Sequence, residues 1–77
     1  MAKSRIINAL YAKAIADKEK ALLALDLLEN AAVGIGDHTA EDFYKDGEKA
    51  LELLCSANDR IETLELYYKA REEDLET

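Results

Sequence analysis

Phe43, Gly47, Ala50, Leu54, Ala57, Ile61, Leu64 and Tyr68 recur at alternating steps of four and three. That is the heptad spacing of a helix face that meets another helix, sustained over more than three repeats. An earlier stretch carries a matching series, Ile7, Tyr11, Ala14, Lys18, Ala21, Leu25, Leu28 and Ala32, broken only by the polar Lys18. Between the two lies Val33-Gly34-Ile35-Gly36, where Gly34 suits the left-handed residue that ends a helix and Gly36 lets the chain reverse. Folding at Ile35 pairs the series in antiparallel register. Leu28 meets Phe43, Ala21 meets Ala50, Ala14 meets Ala57 and Ile7 meets Leu64, with partner numbers summing to 71 or 72 throughout.

The segment from Lys3 to Ala32 is rich in Ala, Leu, Lys, Glu and Ile and has no Gly or Pro, so it predicts one helix over about residues 3–32. A loop over 33–39 follows. Thr39, with Asp42 three residues on, makes a short capping box, Asp37 is a second candidate cap, and Glu41 and Asp42 suit the positive end of a helix dipole. The second helix is expected over about 40–73. Four carboxylates in Arg71–Thr77 then sit at the unfavourable end of that dipole, so the acidic tail is expected to fray and to overhang the first arm. Alanine opposite alanine at two levels allows close approach, as in the antiparallel coils called Alacoils. The expected fold is therefore all-α: one domain over 1–77, an antiparallel two-helix hairpin with arms roughly 45 Å long at 1.5 Å per residue.

With 77 residues, a single cysteine and a single histidine, the chain is near the size at which a lone hydrophobic core barely offsets chain entropy. No internal disulfide or multi-histidine metal set can supplement it. Association is the expected remedy. Projected at 100° per residue, one side of the hairpin gathers Ile6, Leu10, Ala24 and Leu28 with Leu53, Leu64 and Tyr67. The opposite side gathers Ile15 and Leu22 with Tyr44, Leu51 and Cys55. The first set is the larger, and its seven residues are the candidates for a homodimer interface that completes a four-helix bundle. Leu23 and Leu27 belong to neither set and leave room for a larger assembly or a partner contact near the loop.

Charge narrows the choice of partner. Residues 1–33 carry five basic and four acidic groups, for +1, whereas residues 34–77 carry five basic and thirteen acidic groups, for −8. Lys3, Arg5, Lys13, Lys18 and Lys20 are a thin phosphate-binding set beside so many carboxylates, so nucleic acid is not an expected partner. The acidity reads first as a solvated helix face with pairs such as Glu41–Lys45 and Glu65–Lys69, and second as a mimic of a polyanion. Tyr67 and Tyr68 read as core residues of a dimer, or as anchors for a partner.

Catalytic, cofactor-binding and metal-binding residues are not expected. Cys55 lies at the far end of a long hairpin from His38, the only imidazole, and so lacks a general base; it reads as a buried or half-buried interface thiol. His38 with Asp37, Glu41 and Asp42 lacks the alternation of a calcium loop, and His38 packing against Phe43 is the simpler reading. The longest apolar runs fall far short of the roughly 20 residues of a membrane span, and the amino end has no signal-peptide pattern, so a cytoplasmic protein is expected.

The stretch Ala31–Asp42, set between an Ala/Leu helix and an acidic helix with Glu62-Thr63-Leu64-Glu65 near its end, resembles small uncharacterised proteins of tailed bacteriophages. The resemblance implies a viral accessory protein in the host cytoplasm. In architecture the chain is also similar to the Rop family, whose helical hairpin dimerises into a four-helix bundle and binds paired RNA loops, although it lacks a recognisable RNA-reading face. The functional expectation is a non-enzymatic module acting on itself and on a protein partner as adaptor, inhibitor or assembly factor. Rop-like RNA binding and polyanion mimicry stand as alternatives.

Overall fold

The computed structural model describes residues 4–30 and 40–75. Two long helices, α1 over Arg5–Glu29 and α2 over Ala40–Tyr68, pack against each other, and a short 3₁₀ turn follows over Glu72–Leu75. The expected caps and glycine turn, with His38 and Asp37, lie outside the described residues.

α1 starts where Ser4 can cap it. The Ser4 hydroxyl accepts a 3.5 Å hydrogen bond from the Ile7 N–H, and the Asn8 N–H donates to the Ser4 carbonyl at 3.0 Å. Its other end is closed by Asn30. The backbone N–H and the side-chain amide of Asn30 both donate to the Asp26 carbonyl, at 3.1 and 2.8 Å, satisfying one of the carbonyls a helix end leaves open.

Two inter-helix contacts fix the direction of packing. Tyr11 bonds to Glu65 and Asp17 pairs with Arg60, so advancing along α1 means retreating along α2. The numbers in these pairs add to more than 71 because each helical side chain leans toward its own amino terminus, which offsets long side chains by about a turn in an antiparallel pair. The buried residues of the two helices are Tyr11, Ala14 and Ala21 with Ala50, Ala57 and Leu64, all on the two expected seams. Other seam residues, including Ile7, Lys18, Leu25, Leu54 and Ile61, are half-buried. The centre of the hairpin is thus alanine on alanine. Its bulkiest core is at the open end, where Ile7, Ile15, Ile61 and Leu75 pack around Tyr11, Leu64 and Ala70.

That end departs from expectation. α2 stops at Tyr68 rather than near Glu73, and Lys69 adopts the left-handed conformation, φ 54°. The Lys69 N–H donates to the Glu65 carbonyl and the Ala70 N–H to the Leu64 carbonyl, both at 3.1 Å. Residues 69–75 then turn back as a strap instead of fraying, with Ala70 buried and Leu75 half-buried. Two physical reasons favour this. A helix continued through Glu72, Glu73 and Asp74 would set three carboxylates on its negative pole, whereas the reversal places them in the first turn of the 3₁₀ segment. The reversal also covers Tyr11 and Leu64 with apolar groups. Arg71 pairs with Glu73 at 3.1 Å and with Asp74 at 3.9 Å.

Candidate interaction surface

The seam divides the hairpin into two broad faces. On the first, Asp17 receives Lys13 from its own helix and Arg60 from α2, each at 3.1 Å, so the Arg60 pair bridges α1 to α2. The Lys13 hydrogen bond, together with that from Arg60, outweighs partial burial and holds the Asp17 carboxyl below its ordinary range. The Arg60 Nε also donates to the Ser56 hydroxyl at 3.3 Å. Beside this cluster lies an open groove of about 360 Å³ lined by Leu10, Lys13, Asp59, Arg60, Thr63 and Leu64.

The seven expected interface residues lie along this face and differ in exposure. Ile6, Leu10 and Tyr67 are exposed at the open end, with Tyr67 at 73%. Ala24, Leu28 and Leu53 are half-buried and lie toward the loop, on the other side of the charged cluster. Leu64 is only 8% exposed and belongs to the core of the hairpin itself, where Tyr11 and Ala70 cover it.

On the second face the strap closes the open end. A cleft there is lined by Tyr11, Glu65, Lys69, Ala70, Arg71 and Glu72. Tyr11 is 1% exposed, and its hydroxyl donates a 2.6 Å hydrogen bond to Glu65. Burial first, then this hydrogen bond and the charges of Glu65 and Glu72, push the phenol up to about 12. Further along, Ile15 and Leu22 are half-buried, Tyr44 and Leu51 are 67% and 53% exposed, and Gly47 lies between those two at helical spacing. Cys55 is exposed in the single chain. Charged residues accompany this patch: Lys18 is half-buried between Ile15 and Leu22, and Glu19, Asp26 and Glu48 are exposed.

Sequence reasoning missed three features: the Asp17–Arg60 bridge, the Tyr11–Glu65 bond and the strap. The first two had a signal, since a tyrosine on a buried seam needs a partner for its hydroxyl and Arg60 lies about a turn and a half from the level of Asp17, within reach of a long side chain. The left-handed Lys69 had none.

Among the described residues, Lys13, Arg60 and Arg71 are each paired with a carboxylate. No group of three or more His, Cys, Asp or Glu side chains there is placed to hold a metal ion. No described helix is long and apolar enough to cross a membrane. Comparison with protein-family models, with curated proteins and with solved structures finds no match to this chain.

Proposed function

We propose that this chain is a small non-catalytic interaction module that associates through the apolar surface its hairpin leaves uncovered, forming a dimeric four-helix bundle. One observation carries the reading. Among the described residues, five of the seven buried hydrophobic ones are alanine, while nine large apolar side chains stand about half exposed or more. Such a distribution is that of an unfinished core, because alanine contacts bury little area and exposed Leu, Ile and Tyr in this number exceed what an isolated small domain usually displays. The excess of 17 acidic over 10 basic side chains favours a protein partner over RNA, whose binding rests on cations that neutralise phosphate. The resemblance to phage proteins supports the further reading of the module as a viral accessory protein, an adaptor, inhibitor or assembly factor. Sedimentation equilibrium tests the association. A mass twice the 8.6 kDa of the chain is expected at micromolar concentration, and a folded monomer throughout that range would refute it.

A further inference from the structure

We propose that the strap over residues 69–75 is a hinged cover, which lifts as a unit while α1 and α2 stay paired and so exposes Tyr11 and Leu64 as an apolar site. The proposal concerns a single chain and does not rest on self-association.

Three observations lead to it. First, the strap is fastened lightly. Its bonds to α2 are at the hinge, from the Lys69 and Ala70 N–H groups to the Glu65 and Leu64 carbonyls. Its apolar grip is Ala70, which is buried, and Leu75, which is half-buried against the same cluster. The polar contacts of Arg71 stay within the strap: it pairs with Glu73 and Asp74, and its carbonyl accepts from the Asp74 N–H. A segment held by so few buried apolar contacts opens at a lower free energy than the core it covers.

Second, the closed position carries costs that lifting removes. Lys69 is left-handed, a conformation unfavourable for any residue with a Cβ. Asp74 Oδ2 is buried without a hydrogen-bond partner, since Arg71 Nε stands 3.9 Å away, beyond bonding distance. That acceptor has given up water and gained no replacement. The joint is also incompletely packed, because the cleft between Tyr11 and Glu65 on the helices and Lys69 to Glu72 on the strap measures about 450 Å³.

Third, the two helices are joined elsewhere. Ala14, Ala21, Ala50 and Ala57 are buried where they meet, and the Asp17–Arg60 pair ties them at mid-length. What lies beneath the strap is bulkier. Tyr11 and Leu64 are only 1% and 8% exposed, with Ile7, Ile15 and Ile61 packed against them. Leu64 also lines the groove beside Leu10 and Thr63, so lifting the strap joins that groove to the uncovered site. The cover thus sets when the apolar end of the hairpin is accessible.

The test is amide hydrogen exchange in the full chain, followed by NMR, with circular dichroism confirming that each variant is folded. The Ala70 N–H is expected to exchange about tenfold or more faster than those of Ala14 and Ala57, yet slower than an unprotected amide. Ala21→Leu, in the seam, is expected to speed exchange at Ala14 and Ala57 by about fivefold or more. It is expected to change Ala70 by less than about twofold, because the seam is the same whether the strap is down or lifted. Leu75→Ala is expected to speed Ala70 by about fivefold or more, through the lost apolar grip. Nitration of the tyrosines supplies the second readout. Tyr11 is expected to react more slowly than the exposed Tyr67, faster in Leu75→Ala than in wild type, and no faster in Ala21→Leu. Ala70 exchanging at the rate of Ala14 and Ala57, and speeding with them in Ala21→Leu, would overturn the proposal, since the strap would then lift only when the whole hairpin unfolds. An unprotected Ala70 would overturn it as well, and so would a Tyr11 whose nitration follows the Ala14 amide instead of the Ala70 amide.

Discussion

The Tyr11 hydroxyl donates a 2.6 Å hydrogen bond to Glu65 Oε2, tying the first third of α1 to the last turn of α2 beneath the C-terminal strap. A buried phenol whose proton is held by a carboxylate resists ionisation, and Tyr11 titrates near 12 instead of 10. Folding therefore raises this pKa. Its contribution to stability is fully present below about pH 10 and is lost as the pH climbs through about 12. Tyr11→Phe is expected to remove this alkaline loss from the pH dependence of denaturant unfolding and to abolish the late component of a spectrophotometric tyrosine titration. At neutral pH the same variant is expected to cost about 1 kcal/mol, the net value of a hydrogen bond whose acceptor can return to water.

Asp17 behaves in the opposite sense. Its carboxyl is held low by Lys13 and Arg60, so its stabilising effect is present above the ordinary carboxylate range and is lost as pH falls through the depressed folded value. Arg60→Ala is expected to lower the unfolding midpoint at low ionic strength. The difference from wild type is expected to shrink at about 1 M salt, where exposed charges are screened.

The alanine seam is sensitive to volume. Ala21 is fully buried and Ala50 nearly so, which leaves no room for a longer side chain without parting the helices. Ala21→Leu and Ala50→Leu are each expected to destabilise by about 1–3 kcal/mol in urea titrations. Unchanged stability in both would mean the two helices do not meet along these residues.

Lys69 holds a left-handed backbone that lysine disfavours. Lys69→Gly is expected to relieve that cost at the turn into the strap, raising stability by about 0.5–1 kcal/mol after the greater freedom of glycine in the unfolded chain is counted. Thermal melting checks it. A loss of stability would show that the lysine side chain matters more than its backbone angle.

The two helices and the alanine seam were legible because periodicity reports burial directly: Tyr11, Ala14, Ala21, Ala50, Ala57 and Leu64 all stand where the four-three spacing places them. The end of α2 was not legible, because no Gly or Pro marks it. Its stop at Tyr68 depends on what Ala70 and Leu75 gain by covering Tyr11 and Leu64, a tertiary contact that local propensity cannot register. The larger apolar stripe overlaps the seam at Leu64. A wheel projection counts Leu64 as surface, but the strap and α1 bury it, and the projection does not show that Lys13, Asp17 and Arg60 join across the middle of that face.

The dependence of this fold on a second chain is tested most directly by thermal melting at increasing protein concentration. A folded state completed by association gains stability by mass action, so the midpoint is expected to rise by several degrees between about 5 and 500 μM chain. A midpoint that stays constant across that range, with full helical signal at its lower end, would show that the alanine-seamed hairpin stands alone and would contradict the account.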